Sequence, residues 1–159
     1  MDISDEELKN YIGKDAGYYL DKFEDLKNGK KSLINVYAFF GGVIWIFYRK
    51  MNLYGFIIIG AISLEIILED IVLDLTGTGE EFRRILDTYI PILGCFLIGF
   101  YGNYLYKKHV YKQIKKIKEK NISDSHYHDM LRKKGGVTYI PILIFLLLVA
   151  AAIVLGRQQ

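Results

Sequence analysis

Two uncharged runs set the limits on what this chain can become. Val137 to Gly156 (VTYIPILIFLLLVAAAIVLG) is 20 residues without a charge, and Thr88 to Tyr106 (TYIPILGCFLIGFYGNYLY) is 19. As helices rising 1.5 Å per residue, each covers about 30 Å of hydrocarbon. The chain has 159 residues, one domain of ordinary size. Two such runs leave little room for a water-facing fold, so they predict an integral membrane protein.

Two further apolar segments lie upstream. Met51 to Asp70 predicts a span with one charge inside it, Glu65, while Glu69, Asp70 and Asp74 mark its far end. Thr76-Gly77-Thr78-Gly79 then reads as a turn, and Glu80 to Arg84 opens a short polar stretch. Leu33 to Tyr48 has 16 residues, or about 24 Å as a straight helix, which is short for a crossing. Gly41-Gly42 at its centre weakens a helix by roughly 1 kcal/mol per glycine. Tyr37, Phe39, Phe40, Trp45, Phe47 and Tyr48 give it the aromatic load of a membrane interface. It either lies in the interface, enters and returns, or crosses, and its length favours the non-crossing forms.

The N-terminal 31 residues hold six lysines and eight carboxylates, with no apolar leader and no cleavage site. Two amphipathic helices are expected there. Ser4 and Glu7 form a capping box. Tyr18, Tyr19, Phe23 and Leu26 share a face of the second helix, which Asn28-Gly29 ends. From Lys107 to Lys134 the chain is strongly basic, with ten Lys or Arg against three acids. Tyr106, Val110, Ile114 and Ile117 fall at helical spacing along it, so the span ending at Tyr106 should continue as an amphipathic basic helix. Asn121 to Ser125 should break it, and Gly135-Gly136 should end a second short helix. The hexapeptide TYIPIL at 88–93 recurs at 138–143. End chemistry shared by two spans explains it: a threonine cap, an interfacial tyrosine and a first-turn proline. Cys95 has no partner for an intramolecular disulfide and reads as a small packing residue.

The predicted fold is an all-α integral membrane protein. It has three full transmembrane helices plus the aromatic interfacial or re-entrant segment, or alternatively four spans, with amphipathic cytoplasmic helices. The expected units are 1–31, 32–50, 51–106, 107–136 and 137–159. Basic loops stay in the cytoplasm. The 107–136 segment is therefore placed inside, with Arg49 and Lys50 on the same side and the 76–87 loop outside.

One set of residues resembles a known family. Asn35-Val36-Tyr37-Ala38-Phe39-Phe40, Trp45 and Tyr48-Arg49-Lys50-Met51 are similar to the signature of the bacterial membrane-protein family catalogued as domain of unknown function 2628. Tyr11 to Lys14, Tyr18-Tyr19-Leu20 and Phe23 resemble its opening. Gly102-Asn103, Tyr106, His109-Val110 and Gly135-Gly136 resemble its closing elements. Val43 departs from the pattern, which has proline there, so any break rests on Gly41-Gly42. The resemblance implies a bacterial inner-membrane protein and implies no activity.

Candidate chemistry is sparse. Glu65, with Glu69 one turn along, could form an ion or proton site, or could belong to a helix end that emerges early among headgroups. His109, His126 and His128 match no strong metal spacing. No nucleophile elbow, phosphate loop or triad spacing is present, so no enzyme, metal or cofactor is expected. Lys107, Lys108, Lys112, Lys115 and Lys116 form a basic face. Beside a membrane, that face meets anionic lipid headgroups, a protein partner or a second copy rather than nucleic acid. The expected function is a non-enzymatic membrane interaction or scaffold module. The alternative is a small oligomeric ion or solute permease using Glu65.

Overall fold

The structure is a computed structural model, described for residues 3–30, 34–77, 79–120 and 122–156. The expected boundary at 31/32, Leu33, Thr78 of the turn, Asn121 of the break and the closing Arg157-Gln158-Gln159 lie outside these residues. Seven helices occupy the described residues. They are α1 (Asp5–Ile12), α2 (Ala16–Lys27), α3 (Val36–Tyr48), α4 (Asn52–Thr76), α5 (Glu80–Lys118), α6 (Asp124–Lys134) and α7 (Ile140–Gly156).

The expectation of three full transmembrane helices, or four, is overturned. Among the described residues, α5 alone is long and apolar enough to cross a membrane. α3 and α7 are apolar but have 13 and 17 residues. α7 begins late because Thr138 donates its backbone N–H to the Tyr48 carbonyl at 2.9 Å, which holds the head of the uncharged run outside the helix. α4 reaches 25 residues, but Glu65, Glu69, Asp70 and Asp74 occupy its second half. The first TYIPIL copy opens nothing. It lies inside α5, which starts at Glu80 after Gly79 and runs through Pro91.

α5 organises the molecule. Its 39 residues rise about 58 Å, and its two ends have different surroundings. Along the C-terminal half, Tyr106, Val110, Ile114 and Ile117 are buried. α1 brings Leu8, Tyr11 and Ile12 against this face, α2 brings Tyr19 and Phe23, and α6 brings Leu131. This cap is a packed core. Its entry is fixed by the Ser4 capping box, in which Ser4 Oγ accepts from the Glu7 N–H and Glu7 accepts from the Ser4 N–H.

The other half differs. Phe82, Ile85, Ile92, Leu93, Phe96 and Leu97 of α5 are exposed. So are Phe56, Ile57, Ile66 and Ile67 of α4 and Leu143 to Leu148 of α7, which buries no residue. The chain exposes 11103 Å² in all, against about 8200 Å² for a compact monomer of this size.

α3 joins the halves by doubling back. Its N-cap Asn35 lies beside Gly99 and Asn103 of α5, and Phe39 reaches down to Phe96. Gly42, at φ 49° and ψ −130°, interrupts the helix. The second arm then returns, so that Trp45 packs on Tyr106. A left-handed φ of this kind is open to glycine and strained for other residues. Both ends of α3 therefore meet the same stretch of α5.

Candidate functional site

The residues of the 35–51 signature converge on one buried cluster between α2, α3 and α5. Asn35 starts it. Its Oδ1 accepts the Ala38 N–H at 2.9 Å, capping α3. Its Nδ2 donates to Asn103 Oδ1 at 2.8 Å, and its backbone N–H donates to the Gly99 carbonyl at 2.9 Å. Ala38 is fully buried against Gly102. A Cβ on Gly102 would lie 2.9 Å from the Ala38 Cβ, so only glycine permits this helix approach. Phe39 packs edge-on against Phe40 and Phe96, while Phe40 itself stays 82% exposed.

The turn Tyr48-Arg49-Lys50-Met51 is the hub, and each residue ties down a different part of the chain. Tyr48 accepts from Thr138 through its carbonyl and stacks edge-on with Tyr139. Lys50 takes a left-handed φ of 57° and donates its Nζ to the carbonyls of Lys133 (3.2 Å) and Gly135. Met51 is fully buried. Arg49 donates Nη1 to the Lys14 carbonyl (3.1 Å) and Nη2 to Asp15 Oδ2 (2.9 Å). Its guanidinium lies 4.5 Å from the Tyr19 ring centroid and 5.4 Å from that of Tyr106, within cation–π range. The Arg49 side chain is 2% exposed, so Arg49 adds nothing to the exposed basic face. The charge is spent inside the cap, where α1 and α2 pack against the C-terminal half of α5.

Around this hub the cap carries two polar links. Glu7 pairs with Lys118 at 2.8 Å and accepts from the Tyr127 hydroxyl. Burial acts to raise the Glu7 pKa, but the Lys118, Tyr127 and Ser4 bonds outweigh it and hold the carboxyl at about 2. His109 Nε2 lies 3.4 Å from the Tyr11 hydroxyl, and its ring packs edge-on against Tyr54. Burial first, and Lys112 second, push its pKa down to about 4.

The other candidates are separate from this cluster. His128 meets Asn10 at 3.2 Å and His126 is exposed, away from His109. No group of three His, Cys, Asp or Glu could hold a metal ion among the described residues. Lys107 turns inward and donates to the Phe23 carbonyl at 2.8 Å, while Lys108, Lys112, Lys115 and Lys116 are exposed. Lys112 and Lys115 border a shallow cleft with Ile3 and Tyr111. Glu65 and Glu69 face an apolar cleft of about 380 Å³ between α4 and the start of α5. Glu69 Oε1 is enclosed there without a hydrogen-bond partner, and Arg83 pairs with Asp70 at 2.6 Å near the cleft's end.

A helical protein knit by a buried asparagine–arginine–tyrosine cluster, with its other half bare, is the class that the fold and the site define. The family model for proteins of unknown function (DUF2628) matches residues 4–112, and the chain belongs to that family. The match covers α1 to α4 and α5 as far as Lys112, including residues 35–51, Gly102, Asn103 and Tyr106, and stops before α6 and α7. No curated protein and no solved structure matches the chain.

Proposed function

We propose that this chain is a membrane-associated, non-enzymatic interaction module of the bacterial plasma membrane, its cap on the cytoplasmic side. The observation that carries the reading is the bare apolar surface of α4, the first half of α5 and α7. Continuous exposed surface of this kind is far beyond the scattered apolar residues of a water-soluble monomer. Hydrocarbon covers it at no cost, and the aromatic residues of α3 sit where the bare half meets the cap. Lys108, Lys112, Lys115 and Lys116 then lie on the cap to meet anionic headgroups or an acidic partner, each cation contributing about 1 kcal/mol near such a surface. The signature cluster supports a structural role for the family residues, since the hydrogen bonds of Asn35, Arg49 and Lys50 tie separate segments together.

The test is alkaline extraction of membranes from expressing cells, followed by flotation of the purified chain with liposomes. The chain stays with the membrane under alkali. Neutralising Lys108, Lys112, Lys115 and Lys116 together lowers its preference for anionic over neutral liposomes. Release into the alkaline supernatant would sink the reading.

The enclosed Glu69 oxygen beside Glu65 favours a second reading, an oligomeric proton or cation permease. Reconstituted flux that persists in Glu65→Gln and Glu69→Gln would eliminate it.

A further inference from the structure

Three helix ends meet at one place in the cap, and one short segment answers all three. The last carbonyls of a helix have no partner within it. α1 presents the carbonyl of Tyr11, α3 that of Tyr48, and α6 those of Lys133 and Gly135. Residues 133–139 lead from α6 into α7 and lie across this junction. Gly136 donates its backbone N–H to the Tyr11 carbonyl at 2.7 Å, and Thr138 donates to the Tyr48 carbonyl at 2.9 Å. Lys50 Nζ donates to the two α6 carbonyls. These four bonds use the backbone of the segment, so its conformation matters more than its side chains. A Cβ on Gly135 would lie 1.8 Å from the Tyr11 carbonyl oxygen. Gly136 has a left-handed φ of 69°. The glycine pair is thus needed twice, once for close approach and once for backbone freedom.

Beyond this segment α7 has little hold on the cap. It buries no residue, it packs on α3, and none of its residues belongs to the packed core. An element with few buried contacts opens at a lower free energy than the core beside it. We infer that residues 133–139 are a latch. Closed, it satisfies three helix ends and seats α7 on α3. It opens as a unit and lets α7 leave α3 while the cap stays folded. Ile142 of α7 shares a cleft with Ile44, Trp45 and Tyr48 of α3, so opening bares that side of α3. The latch goes beyond the membrane reading and stands without it, since its contacts lie within the cap.

Hydrogen exchange of the full chain in detergent micelles tests the latch at the Gly136 and Thr138 amides and the core at those of Val110 and Ile114. In the parent the latch amides exchange faster than the core amides. Lys50→Met removes the bonds to the α6 carbonyls and speeds latch exchange about tenfold, with the core rates held. Lys134→Met, at an exposed lysine beside the latch, changes it little. Gly135→Ala drives a methyl into the Tyr11 carbonyl and holds the latch open. Trp45 is the chain's single tryptophan, so its emission follows α7. A nitroxide on Ile142→Cys, with the free Cys95 replaced by serine, quenches Trp45 in the closed chain, and Gly135→Ala relieves the quenching. Latch and core amides that exchange at one rate overturn the latch, because α7 would then be released only by unfolding the cap. So does loss of core protection in either variant. Latch exchange that is unchanged in Lys50→Met, or that rises equally in Lys134→Met, also overturns it. Quenching that persists in Gly135→Ala overturns the release of α7.

Discussion

The two halves of α5 make the most instructive contrast in the molecule. From Gly102 onward the helix is wrapped by α1, α2, α3 and α6, and its inward residues are buried. Before Gly99 the same helix shows exposed Phe, Ile and Leu side chains on most of its surface. The sequence change between the halves is in the outer face. Lysines surround the buried stripe in the C-terminal half, whereas from Thr88 to Gly99 the helix carries no charge on any face. A helix with a polar outer face needs a partner on one side only. A helix apolar all round must be enclosed on every side or sit in hydrocarbon. Specific hydrogen bonds belong to the C-terminal half and bare apolar surface to the N-terminal half, so substitutions in the two halves should behave differently.

The largest expected effect lies at the hub. Arg49→Ala removes both guanidinium bonds and the contact with Tyr19, and leaves Asp15 without its cation. Asp15 is partly exposed, which holds the loss to about 3 kcal/mol, the low end for a broken buried pair. Arg49→Lys keeps the charge but not the fork, and recovers only part. Denaturant unfolding in detergent, followed by Trp45 emission, measures both. Equal stability of Arg49→Ala and the parent would mean that the hub does not hold the cap.

Asn35→Ala comes next. It removes the α3 cap and the bond to Asn103, for about 2 kcal/mol. Asn35→Asp keeps the capping oxygen and loses only the donor, so it should cost less. If the two variants are equally destabilised, the cap bond contributes nothing.

These two residues also mark how far the sequence could be read. Local features were legible: the Ser4–Glu7 box, the 106/110/114/117 stripe and the weakness at Gly41-Gly42 all arise within a few residues. The hub was not, because the partners of Tyr48, Arg49 and Lys50 lie at Lys14, Asp15, Lys133, Gly135 and Thr138, far along the chain. Charge alone grouped Arg49 and Lys50 with the basic segment, yet one is enclosed and the other is tied to carbonyls. Counting uncharged residues also misjudged the helices. It measures composition, whereas the start of α7 is set by a hydrogen bond to Tyr48.

Acid should unfold the cap in two stages. His109 is held neutral, its pKa depressed from 6.5 to about 4. Between those values the unfolded chain binds the proton and the folded chain does not, so stability falls as pH drops through that window, by about 1–2 kcal/mol. Tyr11, Tyr54 and Lys112 face the ring, and only Lys112 is charged there. Glu7, depressed from 4.5 to about 2, contributes stability that is present above 4.5 and lost as pH falls towards 2. His109→Gln should flatten the upper stage and leave the lower one. An unchanged pH profile in that variant would assign the upper stage to another group.

The smallest effect on the cap should come from the bare half. Leu143 and Leu147 are 58% and 70% exposed on α7. Each replaced by Asn should change the Trp45-detected unfolding free energy by no more than about 0.5 kcal/mol, as for other surface positions. The same pair should weaken retention in membranes under alkali, because two amides are moved into hydrocarbon without partners. Loss of cap stability with unchanged membrane retention would invert the contrast, making α7 a packing element of the cap. Loss of retention at constant cap stability would fix the division where the structure draws it, at the glycine-lined approach of α3 to α5.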